Sequence, residues 1–317
     1  MHAVTAHPGG LTRDHVVWAY RLLLDRDPES EDVIGPKLAG SRNTRELRNH
    51  FITSAEFREK NPDYAQTNAS TIVITELGPR EAPVRLFVDL SDHVIGLNIV
   101  RGTYEQDEIA FVQRRLKPGD VVVDAGAHIG FFTMQMASLV GPGGRVYAFE
   151  PCDTNAELLE RSIRENHFED RIVFQRAALG AASGAAVLTF AVETLNTGGA
   201  YLLRDGTGAL AGNVARKVAV VALDEAHLAR PVRFIKLDVE GAEPLVLEGA
   251  ERILARDRPL ILSELHPAQL QRASGIGVDD YLALIRGMGY RAADLHGAPI
   301  DRAPADAMVS IVLVPLG

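Results

Sequence analysis

The stretch Val121–Phe132, VVVDAGAHIGFF, constrains the fold of this 317-residue chain more than any other. Three valines running into Asp124 read as a strand buried on both faces that ends on an acid. A glycine-rich turn with Gly126 and Gly130 follows, and Phe131–Val140 has helical apolar spacing. A strand that passes through glycines into a helix brings backbone N–H groups and the positive end of a helix dipole to one ligand. Glycine tolerates positive φ there, and a Cβ would hold the ligand away. Arg145–Phe149 reads as the next strand, and Glu150 stands at its end, 20 residues beyond Gly130. An acid at that distance is placed to accept from ribose hydroxyls. The pattern calls for a nucleoside-bearing cofactor.

The dinucleotide fingerprint is G-x-G-x-x-G, whereas Asp124, Gly126 and Gly130 form D-x-G-x-x-x-G. The loop is one residue longer and lacks the first glycine, and Asp124 would repel a pyrophosphate. A carboxylate suits a ligand with a cationic amino-acid end, which favours S-adenosylmethionine over NAD. An NAD-linked oxidoreductase is the first alternative. A non-catalytic nucleoside-binding scaffold is the second, and the acids retained at strand ends argue against it.

With 33 basic and 42 acidic residues the net charge is −9, so a nucleic-acid partner is not expected. No apolar run approaches the ~18 residues of a membrane span. The opening residues, MHAVTAHPGG, read as a disordered lead without the features of a signal peptide. The single cysteine, Cys152, is expected to pack beside Pro151 and fits a cytoplasmic location.

Residues 1–65 read as a small all-α module and 66–317 as the main domain, with a polar linker over 63–70. Val16, Val17, Tyr20, Leu23 and Leu24 share one helical face, and Pro28 stops that helix. Further helices are expected over Glu31–Gly40 and Thr44–Lys60, the second with Asn43 and Glu46 as a capping pair. The motifs YRLLLDRDPES and TSAEFRE resemble a small helical module found beside bacterial carbohydrate-active and cell-surface glycan enzymes. That resemblance implies targeting or oligomerisation.

Beyond the linker, Thr71–Leu77 and Val84–Leu90 read as short strands and Ile109–Leu116 as a helix. Strands at 121–124, 145–149, 171–175, 233–238, 259–264 and 308–315 then alternate with helices near 130–139, 153–166, 242–255 and 278–288. Such alternation means a doubly wound α/β domain with a mostly parallel sheet. Val187–Val192 and Val214–Leu223 break the rhythm and read as an added antiparallel pair. Their connection, Thr194–Gly212, is expected over the ligand crevice and, with Leu195–Gly199 in it, to shape acceptor choice.

Three strand ends carry polar groups: Asp124; Lys236, Asp238 and Glu240 in FIKLDVEGAE; and Glu264 and His266 in ILSELHP. If these strands are neighbours, the groups converge on one rim. His266 is the expected general base, with Glu264 orienting it and Lys236 and Asp238 positioning substrate or cofactor. Asp238 or Glu240 is the second candidate. A divalent metal is possible but not predicted, because no H-x-x-x-H or C-x-x-C spacing exists. No G-x-S-x-G elbow exists for a serine hydrolase either.

Gly102-Thr103-Tyr104-Glu105, PGDVVVDAGAHIGFFT, VYAFEP, Ala177-Ala178-Leu179-Gly180, Ala222-Leu223-Asp224, IKLDVEGAEPLVLEGA and ILSELHP together resemble the FkbM family of S-adenosylmethionine-dependent methyltransferases. The resemblance spans roughly 85–317. It implies the class I, Rossmann-like methyltransferase fold, with a seven-stranded, mostly parallel sheet whose last strand is antiparallel. It also implies O-methylation of a sugar, glycoconjugate or secondary-metabolite hydroxyl, with S-adenosylhomocysteine as product, and makes a homodimer reasonable. Carried over by motif, Asp124, Gly126, Ala127, His128 and Gly130 would hold the methionine end, and Glu150 with Pro151 the ribose. Ala177 and Ala178 would lie near the adenine, Asp238 would border the methyl, and Tyr104 and Glu105 would cover the cofactor. The family usually has Asn at the position of His128, whose imidazole could still donate a hydrogen bond.

Overall fold

The computed structural model describes residues 11–41, 44–52, 54–61, 71–79, 82–92, 95–191, 199–203, 213–302 and 308–317. The chain divides into two compact units, Met1–Thr71 and Ile72–Gly317. Among the described residues no helix is long and apolar enough to cross a membrane. The opening ten residues, Asn43 and the whole expected linker over 63–70 lie outside the described residues.

The first unit holds helices α1 (Arg13–Leu24), α2 (Ile34–Ala39), α3 (Thr44–Ile52) and α4 (Ala55–Lys60). The single helix expected over Thr44–Lys60 is therefore two. Ser54 leaves the helical region and accepts from the Phe57 N–H at 3.1 Å, while its hydroxyl donates to the Phe51 carbonyl at 2.7 Å. A serine that satisfies both helix ends competes with helix continuation. The unit has its own core, in which Val16, Tyr20 and Leu24 of α1 meet Ile34, Leu47, Phe51 and Phe57. Arg26 forks onto both Glu56 oxygens at 2.5 and 2.7 Å and lies 4.8 Å from the Tyr20 ring. The two sequence motifs of this unit thus meet as an ion pair.

In the second unit β1 (Ile72–Leu77) and β2 (Val84–Asp89) form a separate antiparallel hairpin. Helices α5 (Gly96–Val100) and α6 (Gln106–Arg115) lead into the main sheet. Strands β3 (Val121–Ala125), β4 (Arg145–Phe149) and β5 (Ile172–Gln175) are joined by α7 (Phe131–Val140) and α8 (Asp153–Glu165). A smaller sheet follows: β6 (Ala178–Leu179), β7 (Gly184–Ala191), β8 (Tyr201–Leu202) and β9 (Asn213–Val221), with β7 and β9 antiparallel as expected. The chain then returns through β10 (Val232–Leu237), α9 (Glu243–Glu248), α10 (Glu251–Asp257), β11 (Leu260–Leu265), α11 (Pro267–Ala273), α12 (Val278–Gly287), β12 (Tyr290–Ala293) and β13 (Val309–Pro315).

The seven-stranded sheet has the order β12-β13-β11-β10-β3-β4-β5, and only β13 runs against the rest. The periodicity pointed to six of these strands. The seventh, β12, is four residues long and too short to read alone. The helix expected over 242–255 breaks at Gly249, where an added Cβ would lie 2.0 Å from the Gly180 carbonyl oxygen. Alternate strand residues feed two cores. Val122 and Phe234 face α7 and α8, whereas Val123, Ala125 and Ile235 face α9, α10 and α12.

The Arg26 hydrogen bonds hold the Glu56 carboxylate down at about 2. A folded value below the unfolded one of ~4.3 stabilises the unit above that pH and is lost as pH falls toward 2. The pair is partly exposed, so the effect is under about 1 kcal/mol. Trp18, the sole tryptophan, sits on α1 and reports on this unit by fluorescence. We expect its urea midpoint to fall between pH 5 and 2, and Glu56→Gln to lower the midpoint at pH 7 and flatten that dependence.

Candidate active site

The turn after β3 is tied to its neighbours on both sides. The N–H groups of Gly126 and Ala127 both donate to the Phe149 carbonyl at the end of β4, at 3.0 and 2.9 Å. The Asp238 N–H donates to the Ala125 carbonyl at 3.0 Å. Gly126 has φ 82°, and an added Cβ would lie 1.8 Å from the Asp238 carbonyl oxygen. The glycine is therefore demanded first by the adjoining strand end, not by a ligand. At Gly130 (φ 96°) a Cβ would meet Leu159 of α8 at 2.5 Å, so that glycine serves helix packing.

Between them His128 sits at φ 50°. This left-handed region admits Asn and His more readily than most residues. The exchange of the family's Asn for His is thus conformationally mild. The backbone N–H of His128, not its ring, donates to Glu150 Oε2 at 2.9 Å, so that contact does not depend on the side chain. The other Glu150 oxygen accepts from the Cys152 N–H at 2.8 Å and Asn155 Nδ2 at 3.3 Å. Burial pushes Glu150 up to about 7 against those three bonds. Burial likewise pushes His128 down to about 4, leaving it neutral at pH 7.

Beneath the turn lies a buried ion cluster. Asp124 and Lys236 are register partners on β3 and β10, with 1% and 6% of their surfaces exposed. Lys236 Nζ donates to Asp238 Oδ2 at 2.7 Å and lies 4.7 Å from the Phe132 ring centroid. The Thr133 hydroxyl donates to Asp124. Burial opposes the lysine's charge, but Asp238, Glu105 and Asp124 outweigh it and its pKa rises. Burial raises Asp124 to about 6, with Lys236 pulling the other way.

Above this cluster opens a cavity of about 510 Å³, a size typical of small-molecule sites. The cavity wall includes Tyr104, Glu105, Gly126, His128, Glu150, Pro151, Ala178, Asp238 and Glu264. Ala127, Gly130 and Ala177 stand beside it in the same turns. Tyr104 packs edge-on to Phe131 at 5.1 Å, and burial raises both its phenol and the Glu105 carboxyl. Gly199, Ala200 and Leu202, at the described end of the long connection, reach the wall with Leu188. Residues 192–198 and 204–212, the rest of that connection, lie outside the described residues.

Two placements differ from the sequence reading. His266 is the capping residue just before α11 and is absent from the cavity wall. Its Nδ1 is buried without a hydrogen-bond partner among the described residues, so Glu264 does not orient it. Glu240 lies past the end of β10 at φ 56°, not in line with Lys236 and Asp238. It lines the cavity, accepts a hydrogen bond from Gln269 and is pushed up to about 8, mainly by burial and then by Asp238. Gln269 and Arg272 of α11 also line the wall and escaped the sequence reading. Pro267 at the helix start, with Leu270 and Ala273 on one face, was the available signal. Among the described residues no group of three or more His, Cys, Asp or Glu is arranged to hold a metal ion.

A doubly wound sheet of this order, with a glycine turn after β3 and an acid after β4, defines a class I methyltransferase. The chain belongs to the FkbM methyltransferase family, whose domain description, Methyltransferase FkbM domain, matches residues 124–292. It is 29% identical over 201 residues to the 31-O-demethyl-FK506 methyltransferase FkbM of Streptomyces tacrolimicus, covering 55% of this chain and 74% of that one. Among solved structures, the methyltransferase FkbM of Methylobacillus flagellatus KT is 16% identical with a TM-score of 0.40, over 94% of this chain and 58% of that one. A SAM-dependent O-methyltransferase of Thermotoga maritima is 14% identical with a TM-score of 0.40, over 77% and 78% of the two chains.

Replacing Lys236 with Met would leave Asp124, Glu105 and Asp238 without their shared cation. Removing one partner of a buried ion pair costs about 3–5 kcal/mol. We expect a loss of that order in urea denaturation at pH 8. The loss should be smaller at pH 5, where Asp124, raised to about 6, takes up a proton instead.

Proposed function

We propose that the protein is an S-adenosylmethionine-dependent O-methyltransferase acting on a hydroxyl of a sugar, glycoconjugate or secondary metabolite. The observation that carries this reading is the sequence of groups along one edge of the sheet. Ala178 follows β5, Glu150 follows β4, Gly126 follows β3, Asp238 follows β10 and Glu264 is the last residue but one of β11. These strands are consecutive neighbours, and all five residues line the one cavity.

Ala178 would border the adenine, Glu150 the ribose, the β3 turn the amino-acid end and Asp238 the methyl group. The space beyond, toward β11, is left for the acceptor. Bound there, the cofactor would supply a methyl group on a sulfonium, open to in-line displacement by an acceptor oxygen. Among the described residues the wall carries five carboxyls, Glu105, Glu150, Asp238, Glu240 and Glu264, against one cation, Arg272, and it favours a cationic ligand increasingly as those carboxyls ionise. The same acidity disfavours the pyrophosphate of NAD. The curated relative's name describes an O-demethyl substrate, which agrees with a hydroxyl acceptor.

Calorimetric titration tests the cofactor. We expect micromolar binding of S-adenosylmethionine and S-adenosylhomocysteine and none of NAD; binding of NAD alone, or of none, would sink the reading. Glu150→Gln should weaken S-adenosylhomocysteine by roughly 10- to 100-fold, the worth of a hydrogen bond to a charged acceptor. Glu150 titrates at about 7 and accepts best when ionised. Wild-type affinity should therefore fall by up to about tenfold per pH unit below 7, and Glu150→Gln should lose that dependence.

A further inference from the structure

We propose that Glu264 is the group that takes the proton from the acceptor hydroxyl, an assignment that rests on the methyl-transfer reading. The strand order leaves the acceptor the cavity's far end, where four carboxyls face it: Glu105, Asp238, Glu240 and Glu264. A base needs a lone pair that is free to point at the substrate.

Three of the four are engaged. Asp238 holds the Lys236 ammonium at 2.7 Å. Glu240 accepts from Gln269, and Arg272 of the same helix pulls its basicity down. Glu105 stands against the Tyr104 phenol and the Lys236 charge. A fifth acid nearby, Glu243, is almost fully buried and accepts from the N–H groups of Val239 and Gly241 at 3.1 and 3.2 Å. Glu264 alone makes no side-chain hydrogen bond and no ion pair within 4 Å among the described residues. Glu264 is half-buried on the cavity wall, so its oxygens are open to whatever enters.

Its setting suits proton transfer. Burial raises its affinity for a proton, the negative charges of Asp238, Glu240 and Glu243 add to this, and Lys236 opposes them. In the step, the acceptor oxygen forms a bond to the methyl carbon while the carbon–sulfur bond breaks and leaves its electron pair on sulfur. The hydroxyl proton passes to the Glu264 carboxylate. The products are a methyl ether, a neutral thioether and a protonated Glu264, which later returns its proton to solvent.

The test compares wild type, Glu264→Gln and Glu240→Gln, with radiolabelled methyl donor and methyl β-D-glucopyranoside and glycerol as hydroxyl probes. Calorimetry with S-adenosylhomocysteine checks that each variant is folded and still binds cofactor. Wild-type turnover should rise with pH along a limb above neutrality. Glu264→Gln should lower turnover by about 10²- to 10⁴-fold, abolish that limb and keep cofactor affinity within about threefold. Glu240→Gln should keep a limb and move it to lower pH, because it removes a charge that raises Glu264. Glu264→Gln with near-normal turnover, or with the limb intact, overturns the assignment. So does a collapse seen in Glu240→Gln but not in Glu264→Gln. Wild type that binds S-adenosylhomocysteine yet methylates no hydroxyl probe overturns the acceptor reading, and this assignment with it.

Discussion

The ammonium of Lys236 is the interaction on which the rest of the site depends. It lies beneath the cavity with 6% of its surface exposed, paired in register with Asp124 and bonded to Asp238. Three carboxylates gathered this closely would repel one another and each would take up a proton. One shared cation offsets that repulsion among Asp124 and Asp238, at the ends of β3 and β10, and Glu105, just before α6. Those two strands are central in the sheet, with β4 and β11 beside them. The cluster therefore sets the middle of the cavity, and the groups on either side take their places relative to it.

Three residues with left-handed backbone stand around the same cavity. Glu105, His128 and Glu240 all occupy the left-handed region, with φ of 42°, 50° and 56°, and all three line the wall. Such conformations cost of order 1–3 kcal/mol each and persist where the surrounding structure over-determines them. Here the surroundings are specific. His128 is held by its N–H on Glu150. Glu240 is held by Gln269 and by Gly241, whose missing Cβ would otherwise lie 2.1 Å from the Gln269 carbonyl oxygen. These conformations set the His128 N–H on Glu150 and carry Glu240 out of the line of β10.

The order of elements was legible because it rests on local periodicity. Buried parallel strands read as apolar runs, and VVVD, VYAFE, FIKLD and ILSE end in acids that cannot lie deep in a core unpaired. Glu150, Asp238 and Glu264 stand out in the sequence for that reason, and all three line the cavity. The elements misread or missed were those set by contacts distant in sequence. Gly249 breaks a helix because the Gly180 backbone passes against it, and β12 exists because β13 pairs with it. Ser54 splits a helix through a capping choice that the apolar stripe hid.

The sequence by itself determined the class of fold, the acid-glycine turn and the set of polar residues at strand ends. All follow from spacing along the chain and need no knowledge of neighbours. Only the tertiary structure decided which of those residues act together. Strand order aligned Ala178, Glu150, Gly126, Asp238 and Glu264 along one edge. The start of α11 kept His266 off the wall, and helix packing brought in Gln269 and Arg272. Which carboxyl is tied and which is free depends on partners supplied by other strands and helices, and a linear pattern does not encode that.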